Sequence, residues 1–156
     1  MFRPNLNGTW IGEFASTWKN ENQKTEPPGH FVLVIRQSFF SISIIVFTEK
    51  SKTESHTEVL TFDKDRGKKT LSYFFEQKNN ASIAPDTRDG AAELHLSETG
   101  KKPCLEGGFW TKQGTRGAVS VYKVSNSPIE SFKDARKSWP VSETWAKVNS
   151  QSILPD

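Results

Sequence analysis

Eight short segments of alternating or β-branched residues follow one another along the 156-residue chain, and most of their connections are short and polar. Such segments are typical of β-strands. None of the connections has the pattern of a crossover helix, so consecutive strands are expected to pair antiparallel. Closing this meander removes its exposed edges. The sequence therefore predicts an all-β fold, an eight-stranded antiparallel up-and-down β-barrel, with strands at 9–18, 31–37, 40–48, 52–62, 70–77, 91–97, 104–111 and 118–124.

The C-terminal segment differs from the barrel because it carries helix signals. Ser127 is a candidate N-cap, Pro128 fits the first helical position, and Pro140 would end the helix. We expect a barrel domain at 1–125 and a short helical appendage at 126–156.

The first strand, TWIGEFASTW, places Trp10, Gly12, Phe14, Ser16 and Trp18 on one face. We expect this face to point into the barrel. Trp10 would close the end at which the odd-numbered strands begin, which we call the base. An apolar plug is predicted there from Trp10, Ile35, Phe40, Phe62, Leu71, Leu96, Leu105 and Val121.

The opposite end, which we call the mouth, is expected to be polar. Aromatic faces stack bases, hydroxyls and amides hydrogen-bond base edges or ribose, and arginines bind phosphate. A purely apolar ligand would leave these polar groups unpaired, although strand ends are in general more polar than strand middles. The candidate ligand-binding residues are Ser16, Trp18, Thr48, Ser51, Thr53, Ser55, Tyr73, Phe75, Gln77, Arg88, Thr111, Gln113, Thr115 and Arg116.

Composition argues against several functions. The single cysteine, Cys104, excludes an internal disulfide, and the three histidines have no metal-ligand spacing. No Ser-His-Asp or Cys-His pattern stands out, so we expect neither an enzyme nor a cofactor. The net charge of +3 tolerates an anionic ligand without requiring one, and no DNA or RNA partner is expected. No apolar window reaches the length of a membrane span, so the chain as given is expected to be cytoplasmic.

Basic residues gather in two predicted turns at the base, within 64–69 and at Lys101 and Lys102. Such a surface could lie on anionic lipid, at about 1 kcal/mol per basic residue. Lysine-rich turns are also ordinary solvated surface, and Asp63 and Asp65 dilute the charge of the first turn. The sequence alone favours solvated surface.

Five motifs occur in an order that is more specific than any one of them: FRPNLNGTWIGEF, LVIRQSFFSISIIVFTEKSKTES, LSYFFEQ, DGAAELHL and LEGGFWTKQGTRGAVSVYK. In this order they resemble the β-barrel domain of the CD-NTase-associated two-transmembrane β-strand-rich effectors of CBASS anti-phage defence, over about residues 2–124. In that family the barrel senses a cyclic dinucleotide made by a partner nucleotidyltransferase. Two N-terminal transmembrane helices then oligomerise and breach the inner membrane.

The resemblance places the family's motif positions at the mouth. This sequence departs from the family pattern where Gln113 replaces an arginine and where Arg88 and Asp89 replace a histidine. The role of binding the charged groups of the ligand is therefore expected to fall to Arg88 or Arg116. The matching positions are Thr48, Ser51, Thr53, Ser55, Tyr73, Phe75, Thr115 and Gly117.

The resemblance implies a sensor of a cyclic dinucleotide or other cyclic oligonucleotide. In the full-length protein, at the cytoplasmic face of the inner membrane, the ligand would trigger self-oligomerisation of a membrane-disrupting anchor. Because Met1 directly precedes the barrel motifs, we expect either a soluble fragment of such an effector, which is favoured, or a barrel-only protein that sequesters the nucleotide. A lipocalin-like carrier of a small apolar ligand and a structural or protein-interaction barrel are the alternatives. The bases, linkage and ring size of the nucleotide stay open.

Overall fold

The computed structural model describes residues 4–16, 29–48, 51–79, 87–112, 114–129 and 131–137, with only the backbone at 51, 77–79, 87–88, 132 and 136–137. Eight antiparallel strands form one closed barrel in sequence order, so the predicted fold is confirmed. The strands are β1 (Gly8–Ser16), β2 (Gly29–Gln37), β3 (Ile42–Phe47), β4 (Ser51–Asp63), β5 (Lys68–Asn79), β6 (Thr87–Ser97), β7 (Cys104–Thr111) and β8 (Arg116–Ser125).

The barrel closes because β1 pairs with β2 on one side and with β8 on the other. Side chains alternate between the interior and the outer surface along β1, as the sequence predicts. Trp10 lies in the interior cluster and Ile11 in a second cluster on the outer surface. Every odd-numbered strand starts at the base, and every even-numbered strand starts at the mouth.

The base is closed by Trp10 together with the segment that precedes β1. Trp10 is 0% exposed, and its indole Nε1–H donates to the carbonyl oxygen of Leu6 at 3.0 Å. Gln37, at the end of β2, accepts from the Leu6 amide and donates to the Pro4 carbonyl, while Asn7 exchanges two hydrogen bonds with the Gln37 backbone. These bonds hold the chain across the barrel end, so Leu6 and Trp10 together form the plug.

Two members of the predicted plug do not belong to it. Phe40 is 91% exposed because β3 begins at Ile42, and residues 38–41 form a four-residue turn instead of the shorter turn expected near Ser38. Phe62 is 38% exposed because the β4–β5 hairpin extends past the closed interior.

The hairpin extends in this way because β4 leaves β3 after a short ladder. β3 and β4 pair only through Ile45–Phe47, and β4 then has a bulge between Ser55 and Thr57. A bulge inserts one extra residue and changes which side chains face inward. Glu58 is consequently the Cα partner of the interior residue Tyr73.

The C-terminal helix begins later than predicted. α1 spans Phe132–Lys137. Ser131 caps it, since its hydroxyl accepts the Asp134 amide at 3.1 Å, so the predicted cap at Ser127 is wrong. Ala135 is 0% exposed and packs in the outer cluster with Ile11, Val32, Val34 and Ile129. The predicted break at Pro140 lies outside the described residues, and the domain boundary at residue 125 stays a prediction. Within the described chain, no helix has the length and apolar character to span a bilayer.

Gly12 offers a test of how tightly the barrel is closed. A Cβ at this position would overlap the carbonyl oxygen of Ser120 on β8, and a backbone oxygen in a ladder has little freedom to move. We expect Gly12→Ala to lower the free energy of unfolding by about 1–3 kcal/mol, as other overpacked positions do. Gly100→Ala is the matched control, because its Cβ would lie 3.8 Å from the nearest atom. Equal denaturation midpoints for the two variants would contradict the expectation.

Candidate functional site at the barrel mouth

Three cross-strand pairs near the mouth join a phenylalanine to a glycine. Each ring lies across the glycine backbone of the neighbouring strand, where a Cβ would overlap the ring. The glycines therefore make room for flat rings inside a narrow barrel. The pairs are Phe14 with Gly29, Phe75 with Gly90, and Phe109 with Gly117.

The rings of this layer pack against one another and form what we call the aromatic floor, defined as Phe14, Phe31, Tyr73, Phe75 and Phe109. The Phe14 centroid lies 5.9 Å from that of Phe31 and 6.4 Å from that of Phe109, and the Tyr73 and Phe75 centroids are 6.2 Å apart. Phe31, Tyr73 and Phe75 are buried, whereas Phe14 and Phe109 are only half-buried. These two rings thus keep accessible surface at the mouth end of the core.

Threonine hydroxyls lie around the aromatic floor. Thr53 is 7% and Thr111 is 9% exposed, and their Cα partners, Val46 and Gly90, occupy inward-facing positions. The Thr111 hydroxyl accepts the Thr115 amide at 3.2 Å, which shapes the β7–β8 turn. Thr53 makes no side-chain hydrogen bond with another described residue. Its hydroxyl is therefore a group that a ligand can use.

Ser55, a predicted ligand residue, already uses its hydroxyl inside the wall. The oxygen accepts the Ile44 amide at 3.1 Å and donates to Glu58 Oε1 at 2.6 Å. It thereby bridges β3 and β4 where their ladder ends. Since both functions of the hydroxyl are engaged, Ser55 supports the wall at this place.

Tyr73 is a core residue as well as a predicted ligand residue. Its side chain is 4% exposed, and this burial raises the pKa of the phenol well above its usual range. The phenol stays protonated at any physiological pH. Truncation at Tyr73 would disturb the barrel together with the mouth, so Thr53 is the better position at which to measure binding.

The other predicted residues divide into three groups. Ser16 ends β1 beside Gly117, Thr48 follows β3, and both are half-buried. Arg116 is exposed and opposes Trp110, an outward-facing residue. The remaining positions lie in part or wholly outside the described residues: Ser51, Gln77 and Arg88 have a described backbone only, and Trp18 and Gln113 are not described.

The backbone register nevertheless places Arg88 close to the described rim. Thr53 is the Cα partner of Gln77, and Gln77 is the Cα partner of Arg88. The three residues therefore form one row across β4, β5 and β6. The register thus brings these three predicted site residues together.

The sequence predicts Phe75 and Tyr73 as site residues but not Phe14, Phe31 or Phe109. The missed signal is the pairing of each half-buried ring with a glycine on the next strand. It becomes visible only when the register is known, because Phe14 and Gly29 are separated by a long connection.

A groove of about 170 Å³ lies on the outer wall of the barrel. It runs across β4 to β7 and is bordered by the exposed side chains of Val59, Phe74 and Trp110, with Glu93 beside them. Among its described lining residues there is one carboxylate and no basic side chain, so this groove is poorly suited to a phosphate-bearing ligand.

Cys104 is buried, and this burial raises the pKa of its thiol. Among the described residues, no three histidine, cysteine, aspartate or glutamate side chains lie together as metal ligands would.

The chain is similar to proteins of one known family. A family model described as "Cap15, cyclic dinucleotide receptor domain" matches residues 1–123. The chain is also 30% identical over 131 residues to CD-NTase-associated protein 15 of Escherichia albertii, an alignment that covers 78% of this chain and 63% of that protein. It thus spans less than two thirds of the length of this relative. The match confirms the resemblance found in the ordered motifs, and the chain belongs to the family of Cap15 cyclic dinucleotide receptor domains.

Proposed function

We propose that the barrel mouth binds a cyclic dinucleotide and that the protein is a non-enzymatic sensor. The observation that carries this proposal is the aromatic floor, where the half-buried rings of Phe14 and Phe109 lie below the hydroxyls of Thr53 and Thr111. Rings of this kind stack nucleobases without regard to sequence. The hydroxyls can donate to and accept from base edges or ribose.

The phosphates need a cation, and we assign this role to Arg88. Its backbone lies in the same cross-strand row as Thr53. Arginine binds phosphate with paired hydrogen bonds, which a lysine cannot make. Arg88→Lys should therefore weaken binding although the charge is kept, as a titration against the unchanged protein would measure. A variant with unchanged affinity would remove Arg88 from the site.

A thermal-shift screen with 3′,3′- and 2′,3′-linked cyclic di- and trinucleotides tests the function directly. A ligand present at a hundredfold excess over its Kd stabilises the folded state by about 2.7 kcal/mol. For a domain of this size, that corresponds to a rise in Tm of roughly 5–10 °C. A panel without any shift, together with competitive displacement of a fluorescent fatty acid, would favour a lipocalin-like carrier instead.

Thr53→Val provides a local test, because valine keeps the shape of threonine and removes only the hydroxyl. We expect the affinity for the cyclic dinucleotide to fall by about threefold to tenfold, the contribution of one hydrogen bond. Thr61→Val is the matched control, since Thr61 is exposed on β4 toward the base. Isothermal titration of both variants would decide the matter, and equal affinities would place the ligand elsewhere.

We also propose that ligand binding promotes self-association in a longer protein that carries a membrane anchor, in CBASS-type anti-phage defence at the cytoplasmic face of the inner membrane. The support is the relative's name, which links it to a CD-NTase, and the 63% of its length that this chain covers. Light scattering of the full-length protein with and without the cyclic dinucleotide would test this step. An unchanged mass at saturation would leave sequestration as the function.

A further inference from the structure

We propose that the base of the barrel contacts anionic lipid directly, with Phe39 and Phe40 inserted among the lipid headgroups. Both side chains lie at the tip of the β2–β3 turn, where they are 85% and 91% exposed. This surface is distinct from the mouth and does not depend on the nucleotide.

The turn holds the two rings outward by its own hydrogen bonds. The Ser38 amide donates to the Ser41 carbonyl at 2.8 Å, and the two serine hydroxyls are 2.8 Å apart. The amides of Phe40 and Ser41 both donate to Ser38 Oγ, at 3.3 and 3.1 Å. Three amides of the tip are therefore satisfied within the turn, and both rings are exposed at its apex.

The rings contact each other but take no part in the barrel core. Their centroids are 4.9 Å apart with an interplanar angle of 81°, so they form a single apolar unit at the apex. Isolated exposed apolar residues are ordinary, whereas adjacent ones in contact constitute a small patch that gains free energy on leaving water. The patch projects outward, a shape that suits insertion into a soft surface.

The charges at the same end of the barrel indicate what kind of surface the two rings would contact. The β4–β5 and β6–β7 turns also lie at the base, because the odd-numbered strands begin there. Lys64, Lys68, Lys101 and Lys102 are exposed in and beside these turns and form no ion pair with the described residues. The acidic side chains nearby are partly engaged: Asp63 lies 3.8 Å from the Arg66 guanidinium, and Glu98 is bonded to Lys69 at 2.9 Å.

An apolar tip at the same end of the barrel as uncompensated lysines matches an anionic membrane surface. Lipid phosphates attract the lysines, and the acyl boundary accepts the rings. Either contribution alone gives weak, reversible binding, and together they act on the same rigid end of the barrel. A protein partner would need an apolar pocket for the two rings and acidic groups around it for the lysines. The exposed rings and lysines do not require so specific a partner.

Co-sedimentation of the protein with vesicles tests the proposal. Vesicles of phosphatidylcholine with phosphatidylglycerol should bind the protein, and binding should weaken as salt is raised. Phe39→Ser/Phe40→Ser should lower the partition coefficient by at least about tenfold. Phe74→Ser is the matched control because Phe74 is an exposed ring, 54% accessible, on the outer wall, and it should leave the partition coefficient unchanged. Thermal melts of both variants check that the barrel remains folded.

A second pair of variants, which have the same net charge as each other, tests where the charges must lie. Lys101→Glu/Lys102→Glu should reduce binding to anionic vesicles by about tenfold or more. Lys112→Glu/Lys133→Glu changes the net charge equally, but Lys112 lies in the mouth turn and Lys133 on α1, so it should have a much smaller effect. No binding to anionic vesicles, or equal losses in the test and control variants, would overturn the proposal.

Discussion

Trp10→Ala is expected to be among the most destabilising single substitutions in this protein, lowering the free energy of unfolding by about 3–5 kcal/mol. The indole is fully buried at the base, and alanine would leave a cavity that the closed ladder cannot collapse around. The Leu6 carbonyl would also lose its hydrogen bond from Nε1. Since small domains are stable by only about 5–15 kcal/mol, a large part of the total is at stake. Chemical denaturation followed by circular dichroism measures the loss.

Trp110→Ala is the matched control for Trp10→Ala. Trp110 is also an indole on a strand, but it lies on the outer wall and is 49% exposed. Its truncation should cost less than about 1 kcal/mol, as substitutions at partly exposed positions generally do. If the two variants had the same denaturation midpoint, Trp10 would not be the residue that closes the base.

The number of strands, their order and the closure of the barrel were predictable because they depend on local patterns. Alternation along TWIGEF sets Trp10 inward and Ile11 outward, and the structure has both in these places. Because the connections are short and contain turn residues, consecutive strands pair antiparallel. These features need only the side-chain period and the lengths of the connections.

The sequence predicts the wrong structure where a local pattern is compatible with two structures. Phe39 and Phe40 continue the apolar composition of the flanking strands, yet Ser38 and Ser41 close a turn around them. Composition favours a strand there, whereas the hydrogen bonds of the serine hydroxyls favour a turn, and a sequence does not show which is stronger.

The β4 bulge is a second feature that the pattern conceals. Ser55 and Phe62 have opposite parity along the chain, so regular alternation would place them on opposite faces. The irregularity between Ser55 and Thr57 restores a common face, since Ser55 opposes Phe75 and Phe62 opposes Lys69 in the register. The hydroxyls of the candidate site were predictable because they follow alternation along single strands. The ring–glycine pairs were not, because they depend on neighbours that only the register defines.

The two ends of the barrel should respond independently to substitution. The base lysines are separated from the aromatic floor by the buried core, which includes Leu33, Leu71 and Leu94. Lys101→Glu/Lys102→Glu should therefore leave nucleotide affinity intact while it reduces vesicle binding. Thr53→Val and Phe14→Leu/Phe109→Leu should instead weaken nucleotide binding and leave vesicle binding intact. A failure of the membrane proposal can therefore be distinguished from a failure of the sensor proposal.

Replacement of both half-buried rings, Phe14→Leu/Phe109→Leu, is expected to produce the largest loss of ligand affinity. Leucine preserves most of the apolar packing against the core but removes the flat surfaces on which bases stack. Stacking contributes about 1–3 kcal/mol per base, so the affinity for a cyclic dinucleotide should fall by about tenfold to a hundredfold or more.

Phe74→Leu makes the same chemical change on the outer wall and should leave the affinity unaltered, which isolates the role of the floor from a general effect of losing phenylalanine. Thermal melts of the unliganded proteins are needed beside the titrations, because Phe14 and Phe109 also pack against each other at 6.4 Å. A doubly substituted barrel that melts cooperatively near the temperature of the unchanged protein, yet binds the nucleotide with the same affinity, would show that bases do not stack on this floor. The ligand would then have to lie higher at the mouth, on the rim hydroxyls alone, and the affinity would depend on Thr53 and Thr111 without any contribution from the rings below them.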